Sequence, residues 1–301
     1  MKTRIVIIGA AFIALAGLLS CQGLMVATEV GAQIAGAVGV IDQNTADAIV
    51  ISSRAIGSAA EEITPEQEYY IGRAVAANIL YTYKIWDENP ALTDYLNHIC
   101  NAIVINSPRP DIYNGYHVAI LDSDEINAFA TSGGHIFVTR GLINAAKSED
   151  ALAGVIAHEI AHIQLQHSLK AIRTSRITNA LLITGASAAG AAAGMNVNEL
   201  TDVFKESVGE IVSTMVNNGY SQTQEFEADN TAMDLMASAG YNSSGLIDML
   251  RELSRVQTSS SGFGKTHPTP AQRISNAEKS VGNYSATDGS YRQPRFITAT
   301  R

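Results

Sequence analysis

Only two of the 301 residues are cysteine, which excludes a small scaffold held together by disulfides. Charge is scarce too, at 16% of residues, and what there is leans acidic to give a net charge of −9. A broad basic surface is therefore missing, and no nucleic-acid partner is expected. Long hydrophobic runs are also lacking. Ile5 to Leu19 is uncharged over about 15 residues, where a membrane span needs roughly 20. Residues 177–195 carry no charge but consist mostly of Ala, Gly, Ser and Thr, which gain little from hydrocarbon. They are expected to form a loop or a close-packed soluble helix. What the chain does hold is aliphatic material: 46% is hydrophobic, too much for a disordered polymer and enough for one globular domain or two small ones.

The N-terminus has the layout of an export signal. Lys2 and Arg4 precede the uncharged stretch, which ends in Leu18-Leu19-Ser20-Cys21. This ending resembles the lipobox of bacterial lipoproteins, in which cleavage precedes the cysteine and a diacylglyceryl group is added to its sulfur. Residues 1–20 are thus expected to be a lipoprotein signal peptide, with Cys21 the lipidation site and the anchor to a membrane. Gln22 after it, rather than Asp, suggests the outer membrane. The alternatives are an uncleaved anchor and a plain secretory signal. Lipidation would leave Cys100 alone, inside a helical pattern, as a small buried apolar residue.

Four segments follow from the periodicity. After the signal come a tether and a helix (21–62), then a long domain (63–280), then a polar tail expected to be loose (281–301). Thr64-Pro65-Glu66-Gln67 predicts a helix start with a capping box. A second helix is predicted from Asn89-Pro90 to about Ile105. Tyr116 to Leu121 and His135 to Thr139 read as short strands, separated by Asn127-Ala128-Phe129-Ala130 and a Ser132-Gly133-Gly134 turn. Helical patterns resume at 149–167, 198–217, 221–239, 243–257 and 268–280, with Gly240 placed as a C-cap. The class is α+β, predominantly helical.

His158-Glu159-Ile160-Ala161-His162 carries the chemistry. Residues four apart share a helix face, so both imidazoles can reach one zinc ion, with Glu159 able to meet a water there. A catalytic zinc needs a third protein ligand. His167 lies about 140° further round an uninterrupted helix and is expected to point elsewhere. Leu165 and Ser168 stand where a longer metzincin pattern needs glycine and histidine. Downstream, Glu225 and Asp229 are one turn apart on a common face, while Glu227 is on the opposite side. Glu225 is expected to be the third ligand, and Asp229 to hydrogen-bond a ligating imidazole.

With these motifs in place, the chain resembles the M48 family of zinc metallopeptidases over roughly residues 63–280. The resemblance rests on Asn127-Ala128-Phe129-Ala130 with Gly133-Gly134, on His158-Glu159-Ile160-Ala161-His162, and on Glu225-Phe226-Glu227-Ala228-Asp229. It closes with His267-Pro268-Thr269-Pro270-Ala271-Gln272-Arg273, similar to the H-P-x-x-x-x-R element of the periplasmic branch. The resemblance implies a zincin-like fold with a small sheet beside the H-E-x-x-H helix, and one Zn²⁺ per chain. It also implies a place on the periplasmic side of the bacterial envelope and removal of misassembled envelope proteins.

The resulting expectations are specific. His158, His162 and Glu225 hold the metal, and Glu159 is the general base. By resemblance, His267 and Arg273 stabilise the oxyanion; the alternatives are a capping His267 with an Arg273 that ties the last helix to the acidic helix, or a His267 that is an extra zinc contact blocking the water site until a substrate arrives. Unfolded substrates are expected to bind as an added strand along residues 127–139, from Asn127 to Thr139. Two competing functions remain open: a lipid-anchored chaperone with a structural zinc, and a peptidase embedded in the membrane through residues 177–195.

Overall fold

The computed structural model describes residues 30–39, 63–170, 219–256, 269–285 and 287–301, together with positions 50, 209, 212, 213 and 267. The expected signal, Cys21, most of the tether, the 177–195 stretch and most of the 198–217 helix lie outside the described residues. The chain divides into two compact units, and everything below belongs to the one formed by Ile63–Ala171 and Phe204–Arg301. Of the other unit, residues 30–37 are described as a helix. Among the described residues no helix is long and apolar enough to cross a membrane.

Local sequence explains where the elements start. Helix α1 (Pro65–Thr82) begins at the Thr64–Gln67 capping box, and α2 (Pro90–Val104) begins under an Asn89 cap. Three strands follow: β1 (His117–Leu121), β2 (Ala128–Thr131) and β3 (His135–Thr139). The sheet order is β1-β3-β2, with β1 parallel and β2 antiparallel to β3. This leaves β2 as an edge strand and β3 with partners on both sides. The β2–β3 turn passes so close to α1 that a Cβ on Gly72 would fall on the Ser132 carbonyl oxygen. Gly133 takes φ +79°, the left-handed region.

The short α3 (Arg140–Ala145), with no counterpart in the predicted elements, leads into α4 (Glu149–Gln164), which carries the H-E-x-x-H motif. The structure is thus mostly helical with a small mixed sheet, as expected, and α4 packs against β2, α2, α5 (Gln222–Ser238) and α6 (Ser244–Val256). Helix α5 ends as predicted at Gly240, whose φ is +79°. Burial on nearly every side explains why α4 is apolar around its circumference. Cys100 is fully buried in the same core.

Both ends of α4 are fastened by charges that suit its dipole. At the N-terminus Ser148 caps the helix, and the buried Glu149 accepts from Tyr95 Oη at 2.8 Å and Arg295 Nε at 2.7 Å. At the C-terminus Arg109 donates to the Ile163 carbonyl at 3.3 Å and pairs with the buried Glu68 of α1 at 3.0 Å. The remaining helices are α7 (Pro270–Val281) and α8 (Arg292–Thr300). Helix α8 corrects the expectation of a loose tail. Arg292 and Phe296 are buried, and Arg292, Arg295 and Phe296 share one helical face. Arg292 reaches Asp150 at 3.1 Å, so the last turns grip the start of α4 through its acidic first turn.

Candidate active site

The site assembles from α4, α5 and the segment entering α7. His158 and His162 sit one turn apart on α4, and their Nε2 atoms lie 3.0 Å from each other. Both face Glu225 in the first turn of α5: His158 Nε2 is 3.5 Å from Oε2, and His162 Nε2 is 3.6 Å from Oε1. His267 joins them, its Nδ1 2.9 and 2.8 Å from the two Glu225 oxygens. One ligand atom from each of His158, His162, Glu225 and His267 falls within 4.8 Å of the others, and all four residues are buried. Three imidazoles and a carboxylate, packed this tightly, are the donor chemistry of a divalent-cation site.

The electrostatics fit the same reading. Burial, followed by the neighbouring His158, His167 and His267 rings, holds the His162 imidazole well below its ordinary pKa, so it is neutral and offers a lone pair. Burial alone would raise the Glu225 carboxyl, but His267 and Arg273 outweigh it and keep it ionised. Glu159 behaves differently. Burial, reinforced by the Glu225 charge and opposed by His158 and Arg273, pushes its carboxyl up to about 7. Its Oε1 is buried with no hydrogen-bond partner among the described residues.

Asp229 lies where spacing puts it, one turn beyond Glu225. Its Oδ1 is 3.0 Å from His158 Nδ1, an acceptor for a proton on that nitrogen that leaves Nε2 to face the cluster, and Arg273 Nη2 also stands 3.2 Å from the same nitrogen. Arg273 grips the same carboxylate twice, Nε to Oδ2 at 2.8 Å and Nη2 to Oδ1 at 2.5 Å. It also stands 3.4 Å from Glu225 Oε2 and is wholly buried. Arg273 therefore ties α7 to α5, the helix-tying alternative named for it. Burial would lift the Asp229 carboxyl, yet the Arg273 charge and hydrogen bonds hold it far below the ordinary carboxylate range.

One neighbour of the site differs from expectation. His167, predicted to point away, is fully buried with Nδ1 2.9 Å from His162 Nδ1. The extrapolation assumed a continuous helix, but α4 ends at Gln164 and Gln166 takes φ +55°, which swings the chain back toward the ligands. Glu227 does face away from the cluster, yet its carboxylate reaches His167 Nε2 at 3.3 Å. Tyr220, which no sequence signal singled out, lies over the His162 ring with centroids 4.3 Å apart and planes 20° from parallel.

Comparison with known proteins agrees with this geometry. Residues 90–281 match the model of Peptidase family M48. The metalloprotease LoiP of Escherichia coli is 30% identical over 189 residues, covering 61% of this chain and 69% of its own length. The beta-barrel assembly-enhancing protease of Yersinia pestis is 27% identical over 201 residues, 63% of this chain and 39% of that protein. Its Escherichia coli counterpart is 26% identical over 262 residues, 84% of this chain and 51% of that protein. The chain therefore spans about half or less of the two assembly-enhancing proteases. The matched region contains His158, Glu159, His162, Glu225, His267 and Arg273, and on that ground the chain belongs to peptidase family M48.

Proposed function

We propose that this chain is a zinc-dependent endopeptidase that hydrolyses misfolded or misassembled proteins of the bacterial cell envelope. The observation that carries the reading is the convergence of His158, His162 and Glu225 beside a buried Glu159 oxygen that has no hydrogen-bond partner among the described residues. When bound there, Zn²⁺ supplies a Lewis acid that polarises a scissile carbonyl and lowers the pKa of a water to about 7. The protein's own groups do the rest. Glu159 takes a proton from the attacking water and returns it to the departing amine. Asp229 orients His158, and Arg273 holds Asp229 and Glu225 in place. That engagement supports a positioning role for Arg273 over direct contact with an oxyanion. The close approach of His267 to both Glu225 oxygens supports the extra-contact role, in which it gives way when a substrate arrives.

Of the stretch 127–139, β2 lies at an edge of the sheet among the described residues; its four residues are buried, so an extended substrate would add there once that edge is uncovered and be read through its main chain. Weak sequence preference in a peptide-library digest is the corresponding outcome. The relatives named for beta-barrel assembly support an envelope substrate, and lipidation at Cys21 would place the enzyme on the periplasmic face of the outer membrane. Purified full-length chain should hydrolyse casein, lose that activity to a chelator, and lose it in Glu159→Gln while keeping its zinc. Suppression of aggregation with no cleavage by the wild type would favour the chaperone reading instead.

A further inference from the structure

We propose that His167 and Glu227 form a relay that sets the tautomer of His162 and thereby tunes the affinity of the metal site. Both rings of the H-E-x-x-H pair must present Nε2 as a lone pair to hold one cation, so each must carry its proton on Nδ1. For His158 the reason is direct: Asp229, a carboxylate, faces its Nδ1 at 3.0 Å. No carboxylate faces the Nδ1 of His162 among the contacts of the described residues. Its neighbour there is another imidazole nitrogen, His167 Nδ1, at 2.9 Å. Two such nitrogens bond only if one donates and the other accepts. The next link decides which. Glu227 Oε2 lies 3.3 Å from His167 Nε2, and an ionised carboxylate can only accept. His167 therefore donates from Nε2, its Nδ1 is left as the acceptor, and the proton between the two rings belongs to His162. Nε2 of His162 is then free of hydrogen and turned toward His158 and Glu225.

The surroundings pack closely on both rings. His167 is fully buried, and Tyr220 lies flat over the His162 ring. Glu227 is half exposed, and its charge can be paid for by water while its oxygen remains on His167. The result is a carboxylate–imidazole–imidazole chain on one ligand, matching the single carboxylate on the other. His167 and Glu227 touch neither metal nor substrate and are positioning residues.

The inference rests on the zinc site proposed above, and the test separates the two. Zinc affinity of the full-length protein is measured by chelator competition for wild type, His167→Leu, His167→Asn, Glu227→Ala and the His167→Asn/Glu227→Ala pair. His167→Leu is expected to weaken zinc by about 10- to 100-fold. Asparagine can place an amide oxygen where His167 Nδ1 stands, accepting from His162 with no help from a carboxylate. His167→Asn is thus expected to bind within a few fold of wild type, and Glu227→Ala to weaken zinc only in the background that retains His167. Glu227→Ala alters a half-exposed residue and keeps the test alive if His167→Leu fails to fold. Equal loss on Glu227→Ala in both backgrounds, or wild-type affinity in a folded His167→Leu, would overturn the relay while leaving the zinc site standing. A wild type that binds no zinc would overturn both.

Discussion

The Asp229–Arg273 pair gives the sharpest stability test, because both groups are completely buried and each is the other's main partner. Replacing Asp229 by Asn keeps the volume and one acceptor oxygen but removes the charge. Arg273 is then left in the interior with Glu225 as its nearest anion, at 3.4 Å rather than 2.5 Å. Breaking a buried pair from one side destabilises by about 3–5 kcal/mol, and the residual contact to Glu225 puts the expectation near the lower end. For a unit of this size, about 3 kcal/mol corresponds to a fall in Tm of roughly 6–12 °C. The double change Asp229→Asn with Arg273→Met removes the stranded cation and is expected to be less destabilised than Asp229→Asn alone. The pH dependence has a defined sign. The folded-state carboxyl is held low, so its contribution is present above the ordinary carboxylate pKa of about 3.9 and is lost as pH falls below it. Denaturant unfolding of the zinc-free forms should show a constant gap between wild type and Asp229→Asn from about pH 5 upward, narrowing below about pH 4. A variant with the wild-type midpoint at neutral pH would refute the claim that this carboxylate balances a buried guanidinium.

Two further outcomes follow from the core and the last helix. Burial pushes the Cys100 thiol up to about 12, so in the native protein at pH 8 it should resist alkylation, with modification by mass spectrometry appearing only on unfolding. Arg295→Ala leaves the buried Glu149 with the Tyr95 and Tyr241 hydroxyls but no cation, and since Arg295 is half exposed, about 1–2 kcal/mol of stability should be lost, read as a lower thermal midpoint.

The parts of the molecule legible in the sequence are those fixed by local chemistry. Thr64 with Gln67, Ser221 with Gln224 and Gly240 announce helix ends through their own hydrogen bonds or φ, and α1 and α5 begin, and α5 ends, where they say. The four-residue spacings His158–His162 and Glu225–Asp229 survive folding because each pair lies within one unbroken helix. What escaped prediction depends on a break or on a distant partner. His167 reaches His162 because a non-glycine residue, Gln166, takes the left-handed turn, and nothing local marks it. Helix α8 is stabilised by Glu149 and Asp150, more than 140 residues earlier, so its own polar sequence looked unstructured. Even there, the Arg292, Arg295 and Phe296 spacing was a helical face that could have been read.

The central claim is that side chains from two helices converge on one cation, and metal stoichiometry tests it most directly. Elemental analysis of the purified full-length protein should find one zinc per chain, falling to near zero in His158→Ala and in Glu225→Ala while both variants remain folded by circular dichroism. A wild type without zinc, or a Glu225→Ala protein that keeps its full complement, would contradict the account.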